Sequence, residues 1–598
     1  MSFNDELVAR FEQMAQMLEL TGANPFRVNA LARAARAIDD LTSDLHEIAD
    51  DPKALIAIPG IGKGIAEKIG EYAQTGKIQE HIDLLAEVPP GLLRVLEAPG
   101  LGPKKVALLW KELGVEDLSG LKRVIEDGSI LSLPRMGQKT VDNLRSSIEF
   151  MESSGQRLHL GIAMPIAQAI VERMESVKGV KRAAFAGSLR RGRETIGDID
   201  VLVTTSDAER ARTAFTSMPG VTEVLAKGES KSSVRLSLEG IDHARWGGDG
   251  ASAQVQVDLR IVPEASWGAA LLYFSGSKEH NVRLRERAQK QNLTLNEYGL
   301  YPEDGESEPP QKRGVKAEAG KTEEEIYSAL GLAWVPPEIR EDRGELDLEE
   351  TPRLIEVGDI RAELHAHTTA SDGVMSLEEL VGEAKRRKFH TIAVTDHSKS
   401  SAQAGGLDES RLRAQRAQIE ALRETTTGIE ILCGCEVDIL SDGSLDFDDD
   451  FLAELDVVVA SPHVALSQEP KKATARLLKA IENPYVHVLG HPTGRLINRR
   501  KGLEPAMDEI IAAAIEHDVA LEINAHWMRL DLRDTHVRAA VEAGAKIAID
   551  CDDHAPGDFD NLVYGVLTGR RGWLTPEQCV NTWTKAKLHQ WLKSKGRA

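Results

Sequence analysis

The chain has 598 residues, of which 41% are hydrophobic and 28% charged, and its formal net charge is −22. That length exceeds what one hydrophobic core can serve, so several domains are expected. The acid surplus excludes a broadly basic surface as the means of holding nucleic acid.

The four cysteines (Cys433, Cys435, Cys551, Cys579) have no CxxC spacing. This points to a reducing compartment and away from a disulfide framework or a cysteine zinc site. The first residues, MSFNDELVARFEQ, lack the basic and apolar regions of a secretory signal. No apolar run reaches the roughly 18 residues a bilayer span needs, so a cytoplasmic protein without a membrane partner is expected.

Residues 1–150 read as short helices punctuated by Gly and Pro, with about 17 Lys/Arg against about 23 Asp/Glu. Within them IPGIGKGIAEKI (58–69) and APGLGPKKVALL (98–109) share an apolar-Pro-Gly-apolar-Gly pattern that runs into a helix. Glycine permits the tight turn, and the amides of the following helix face an anion. Such a turn grips a DNA phosphate without reading bases, which suits an acidic protein. Gly60, Gly62, Gly64, Gly100 and Gly102 are the residues expected to do so. LPRMGQKTVDNL (133–144) is a weaker third copy, with Arg135 in place of the first glycine.

These copies resemble helix-hairpin-helix motifs. NPFRVNALARAARAI (24–38) followed by IPGIGKGIAEKI is similar to the amino-terminal domain of DNA polymerase beta. That resemblance places Lys68 at the Schiff-base lysine that removes 5′-deoxyribose phosphate. Gly64 stands where the family often has a second, phosphate-binding lysine, and Lys63 lies beside it.

Character changes over residues 160–265. VQVDLRIV (255–262) alternates as a strand does, and AGSLRRGRETIGDIDVLV (186–203) places Asp198 and Asp200 two apart. On a strand that spacing turns both carboxylates to one face. Like charges so close are costly unless a cation lies between them. With Asp258 on a neighbouring strand, three acids can hold two Mg²⁺ ions for phosphoryl transfer to a 3′-hydroxyl. Gly187, Ser188 and Arg191 would supply phosphate donors.

This GS…DxD pattern marks nucleotidyltransferases broadly. LLYFSGSKEHNVRLR (271–285) narrows it, because it resembles the nucleotide pocket of family X DNA polymerases, with Ser275 where Thr is common. By that resemblance Tyr273 and Phe274 flank the incoming sugar, Gly276 helps exclude a ribose 2′-hydroxyl, and Asn281 and Arg285 face the nascent pair. Residues 302–321 read as an exposed insertion. Residues 336–350 carry seven acids to two bases and read as part of a crossing between domains.

From Ile360 on, short apolar strands alternate with amphipathic stretches in a β/α barrel pattern, and each strand runs into a His, Asp or Glu. The candidates are His365, His367 and Asp372 in ELHAHTTASDG, then His397, Glu436, His463 and His491, and finally Asp552 and His554 in CDDHAP. Nine N/O ligands suit a cluster of up to three ions, and imidazole with carboxylate fits Zn²⁺, Mn²⁺ or Fe²⁺ better than Mg²⁺. The set resembles the PHP domain at every ligand position. Asp396 could orient His397 from behind, Arg495 could contact a substrate phosphate, and His526, His536, Asp553, Cys433 and Cys435 read as structural.

The whole chain resembles bacterial family X polymerases with a C-terminal PHP domain. This implies a multidomain α/β fold: a helical helix-hairpin-helix region, a polymerase beta-like nucleotidyltransferase palm and thumb, and a distorted β/α barrel. The expected domains are 1–90 (first helical domain), 91–155 (fingers), 156–265 (palm), 266–335 (thumb), 336–358 (linker) and 359–598 (PHP). The resemblance further implies gap filling on gapped or nicked duplex DNA with dNTPs, Mg²⁺ at the polymerase site, and Mn²⁺ or Zn²⁺ at the PHP site. A 3′→5′ exonuclease, with 3′-phosphatase and abasic-site cleavage as further options, would belong to a monomer associated with the bacterial nucleoid. Two alternatives stay open: a template-independent nucleotidyltransferase fused to a histidinol-phosphate-type phosphatase, and a DNA-end scaffold.

Overall fold

The computed structural model describes residues 3–39, 45–58, 60–89, 91–96, 101–134, 136–138, 141, 144–145, 157–238, 254–466, 468–498 and 500–595. The chain divides into two compact units, Met1–Gln156 with Glu239–Gln254, and Arg157–Leu238 with Val255–Ala598.

The first unit is helical among its described residues. Its core gathers one apolar stripe from each short helix, including Phe11, Met14, Leu31, Ile38, Ile69, Val106, Leu109 and Val124. Helix α1 (Lys63–Thr75) buries Ile65, Ala66, Ile69 and Tyr72 and stops at Gly76 in the left-handed conformation. Helix α2 (Pro103–Leu113) repeats that plan, with Val106 and Leu109 buried and Gly114 as its stop.

The second unit opens with a five-stranded sheet of β1 (Val180–Phe185), β2 (Asp198–Thr205), β3 (Val221–Lys227), β4 (Lys231–Ser237) and β5 (Gln254–Ile261), in the order β1-β2-β5-β4-β3. β2 and β5 run parallel, with Asp198 opposite Gln256 and Asp200 opposite Asp258. Two helices follow, α3 (Trp267–Ser275) and α4 (Lys278–Lys290). Their core joins Leu272, Leu284 and Ala288 to Ile326 and Tyr327.

The segment 336–358, expected as a domain crossing, runs packed against its neighbours. Ile339 and Arg340 are buried. Its acids meet bases: Glu338 accepts from Arg570 Nε at 2.8 Å and Glu345 lies 2.5 Å from His280 Nδ1. A count of acids cannot reveal that partners sit far along the chain, which is why the segment looks solvated in sequence.

Seven parallel strands then form one sheet in chain order: β6 (Ala362–Glu363), β7 (Thr391–Val394), β8 (Glu430–Asp438), β9 (Val457–Ser461), β10 (Val488–Leu489), β11 (Ala520–Asn524) and β12 (Ile547–Asp550). A parallel bridge between Ala366 and Asp553 ties the first and last strands' extensions, nearly closing a barrel. Alternate strand residues enter two cores. Ile392, Val394, Ile431 and Cys433 pack with residues such as Leu380 and Ile419 of surrounding helices. Ala393, Leu432, Val459 and Val488 pack with Trp583 and Trp591. Helix α5 (Leu562–Arg571) lies against β11 and β12. All four cysteines are buried and unbridged.

Candidate functional site

In the helical unit, Gly62 and Gly102 precede α1 and α2 with nearly the same backbone, φ/ψ of −86°/171° and −88°/168°, and neither helix start is capped by a side chain. Gly60 has φ of +97°, and a Cβ there would lie 3.1 Å from Ala37 Cβ, so glycine is required at that turn. Gly64 lies in the first turn of α1. Gly100 and Arg135 fall outside the described residues.

A cavity of about 270 Å³ beside the first hairpin is lined by Arg27, Arg33, Gly60, Gly62, Gly64, Lys68 and Glu80. Lys68 Nζ lies 2.8 Å from Glu80, which also accepts from Arg27 Nη2 at 2.7 Å. An amine paired in this way has to leave its partner and lose a proton before it can attack an aldehyde.

In the five-stranded sheet, the register puts Asp198, Asp200 and Asp258 on one face. Asp200 is pushed up to about 7, by burial first and then by Asp198 and Asp258 beside it; Arg260 and Lys231 only partly offset this. Asp198 is raised for the same reasons, burial and then Asp258. A cation is already drawn to the acids, since Lys231 Nζ lies 2.6 Å from Asp258 Oδ2. Carboxylates that resist ionising together fit divalent ions.

Gly187 has φ of +67°, and a Cβ there would sit 2.7 Å from Asp200 Oδ2; the turn with Ser188 is held by Ala186 N donating to Asp200 O at 2.8 Å. Arg191 donates from Nε to Glu341 at 2.9 Å and from Nη1 to the Ser275 carbonyl at 2.7 Å. Tyr273 and Phe274 pack edge to face, 5.0 Å between centroids, and Arg260 covers Phe274. A Cβ at Gly276 would meet Asn281 Oδ1 at 2.7 Å. Asn281 Nδ2 donates to the Tyr273 carbonyl at 2.8 Å, and Arg285 follows one turn later on α4.

In the barrel, all nine expected ligands come together. Their donor atoms form three overlapping groups, each within 4.8 Å: His367, Asp372, His397 and His554; His365, His367, Glu436 and Asp552; and His397, Glu436 and His463. His491 Nε2 joins them, 2.8 Å from Glu436 Oε1. Buried atoms of this set, including His365 Nε2, both ring nitrogens of His367, Glu436 Oε2 and Asp552 Oδ1, make no hydrogen bond. Orphaned imidazole and carboxylate donors converging in this way fit divalent metal ions.

Burial would raise the Glu436 carboxyl, but His463, His365 and His397 overcome it and hold the group well below the usual range. His397 is pushed up to about 10, because Glu436 and Asp372 outweigh the effect of burial. His491 (φ 23°) and Asp552 (φ 57°) hold left-handed backbone, strain of the kind that collects at functional sites.

Several supporting residues escaped the sequence reading. Glu522 accepts from His365 Nδ1 at 2.6 Å, and its other oxygen takes the His491 backbone N–H at 2.5 Å. Its signal was an acid within the apolar strand ALEIN. Asp438 holds His463 Nδ1 at 2.6 Å. Arg529 overlooks the cluster, with Nε 3.9 Å from Asp552. Arg495, the expected phosphate contact, is instead spent on Glu194 at 2.6 Å and on the carbonyls of Arg529 and Leu530, a structural tie. Asp396 accepts from the Thr368 backbone N–H and hydroxyl and does not orient His397 through any described bond. Asp553 joins Glu363 and Cys551 in a further buried donor group.

Family models match the chain in order: a helix-hairpin-helix domain over residues 2–78, a SAM-like helix-hairpin-helix tandem over 92–149, a DNA polymerase beta palm over 163–264, a DNA polymerase beta thumb over 270–341, and a PHP domain over 363–526. The DNA polymerase/3′-5′ exonuclease PolX of Bacillus subtilis (strain 168) is 36% identical over 98% of this chain and 99% of its own length. DNA polymerase lambda of Rattus norvegicus is 25% identical over 57% of this chain and 56% of its own. A protein of Thermoanaerobacter sp. (strain X514) named as a probable phosphatase is 28% identical over 39% of this chain and 94% of its own. The full-length match runs through both the aspartate triad and the nine-donor cluster, and the chain therefore belongs to the PolX family, in which a polymerase beta-like half and a PHP domain share one polypeptide.

Proposed function

We propose that the chain fills short gaps in duplex DNA as a templated polymerase and trims 3′ ends in its PHP barrel, as two reactions at two separate sites. The observation that carries this reading is the pairing of Asp200 with Asp258 on parallel strands while nine donors converge in the barrel. Magnesium, held by Asp198, Asp200 and Asp258, would supply the Lewis acidity that activates a primer 3′-hydroxyl and neutralises a triphosphate. Around it the chain's own groups bind and orient. The Gly187–Ser188 turn and Arg191 take the phosphates, Tyr273, Phe274 and Gly276 shape the sugar pocket, and Asn281 with Arg285 face the nascent base pair.

In the barrel, His365, His367, Asp372, His397, Glu436, His463, His491, Asp552 and His554 would hold up to three ions, with manganese or zinc supplying Lewis acidity for phosphodiester hydrolysis. Glu522 fixes the tautomer of His365, and Arg529 is placed to take the substrate phosphate. The amides ahead of α1 and α2 hold duplex DNA, and Lys68 lines the cavity for a 5′-phosphate. Lyase chemistry there needs an amine that Glu80 keeps paired. We assign the domain limits as 1–90, 91–155, 156–265, 266–335, 336–358 and 359–598.

The test uses a gapped duplex with Mg²⁺ and Mn²⁺ in parallel, with and without dNTPs. Asp198→Asn with Asp200→Asn should abolish templated extension and spare 3′ trimming. His365→Ala with His367→Ala should do the reverse. Loss of both activities from either folded variant refutes the two-site reading, and untemplated tailing of single strands would favour a template-independent transferase.

A further inference from the structure

Arg191 does not stand free before the nucleotide pocket. Two of its three nitrogens are already committed, Nε to Glu341 and Nη1 to the Ser275 carbonyl, and its side chain is 13% exposed. Glu341 is the last residue of the stretch that matches the thumb, 270–341, and is shared. Arg571, on α5 of the barrel, donates from Nη1 to the same Oε1 at 2.8 Å, while Arg193 approaches Oε2 at 3.7 Å. Arg571 also donates to the Arg191 carbonyl at 2.8 Å and, from Nη2, to Asp534 Oδ2 at 2.7 Å. Asp534 in turn accepts from Arg343 Nη1 at 3.0 Å. The turn that carries Arg191 also rests on α5, since a Cβ at Gly192 would lie 3.2 Å from Leu567 Cβ.

An arginine fork recognises a phosphate by its plane, so fixing two nitrogens sets where the remaining donors point. Here the fixing groups are the Ser275 carbonyl at the end of α3 and Glu341, and Glu341 is itself held by Arg571 of the barrel. Glu341 also stands among three guanidiniums, and burial alone would raise its carboxyl; Arg571 and Arg191 overcome that and bring it down to about 2. Without that charge, Arg191, Arg193 and Arg571 would repel one another and the fork would lose its plane.

We propose that Glu341 and Arg571 are positioning residues for the polymerase reaction: they hold the Arg191 guanidinium in its triphosphate-binding orientation, which makes the PHP barrel a structural part of the nucleotide pocket. This rests on the reading of Arg191 as a triphosphate ligand.

The test measures steady-state incorporation of one dNTP on a gapped duplex by the full chain carrying Arg571→Met, Glu341→Ala, Glu341→Gln or Arg191→Ala. 3′ trimming in the absence of dNTP serves as the control for barrel folding. Losing the Glu341 contact to the fork, in Glu341→Ala, or the Arg571 bond that seats Glu341, in Arg571→Met, should raise the dNTP KM about tenfold. kcat should fall no more than about threefold, trimming should be unchanged, and Glu341→Gln should lie in between. Adding Arg571→Met to Arg191→Ala should then cost little more, because both act through one side chain.

If Arg191→Ala leaves the dNTP KM unchanged, the triphosphate reading itself is wrong. If Arg191→Ala raises KM but Arg571→Met and Glu341→Ala do not, only the positioning role is overturned. Equal losses of kcat, KM and trimming in Arg571→Met would also overturn it, in favour of a general fold defect.

Discussion

Glu323 receives two arginine forks at once. Arg340 donates to its oxygens at 2.6 and 3.0 Å and Arg190, beside the Gly187–Ser188 turn, at 2.7 and 2.9 Å. Glu323 is 5% exposed and Arg340 not at all. Burial would raise the carboxyl, yet Arg340 and Arg190 outweigh it and bring it from 4.5 to about 2. At about 1.4 kcal/mol per pH unit that is on the order of 3 kcal/mol of stability, the lower end of the roughly 3–5 kcal/mol lost when one member of a buried ion pair is removed. The folded group has the lower pKa, so this stability is full above the unfolded value of 4.5 and disappears as pH falls toward about 2.

The perturbation is Glu323→Gln. Native-state hydrogen exchange is the appropriate assay, because it reads the thumb locally in a chain that does not unfold in one step. At neutral pH the slowest amides of α4 should exchange about 100-fold faster than in the unaltered protein, the equivalent of about 3 kcal/mol. The unaltered protein should show the same loosening on acidification below pH 4.5, and the variant should show no further change there. Exchange within threefold of the unaltered protein, or an acid response that persists in the variant, would refute the estimate.

Three further outcomes follow from the two pockets. With Asp200 at about 7, it is about one-tenth ionised at pH 6 and nine-tenths at pH 8; the Mg²⁺ concentration for half-maximal extension should therefore be about tenfold higher at pH 6, and a flat response would sink the coupling. Gly187→Ala places a Cβ 2.7 Å from Asp200 Oδ2 at a φ of +67°, so extension should fall at least 100-fold, or about 3 kcal/mol in barrier, while trimming of 3′ ends persists. Glu522→Gln leaves one accepting oxygen where two serve His365 Nδ1 and the His491 N–H and removes the charge, so Mn²⁺ binding by the barrel, followed calorimetrically, should weaken about tenfold to 100-fold.

The candidate catalytic groups were readable because their chemistry restricts residue type. Acids two apart on a strand share a face in any fold, and histidines that end successive parallel strands must meet at one rim of the sheet. The supporting groups were not readable in the same way. Glu323, Arg340, Glu341 and Arg571 are ordinary charged residues in sequence, and only a fold that joins position 341 to position 571 gives them partners. Arg495 shows the opposite failure: an arginine following GHPTG suggests a phosphate ligand, yet its bonds go to Glu194 and two carbonyls. Glu522 lay between, since an acid inside an apolar strand signals a buried partner without naming His365.

Glu436 takes part in two of the three overlapping donor groups, and His367 and His397 each bridge two as well. Common walls mean that the seats are not independent compartments. Filling one orders side chains that a neighbour also uses, and emptying it leaves those shared donors unpinned. The barrel should therefore load and unload its ions together, so that a chelator strips it abruptly and a single ligand substitution silences all seats at once.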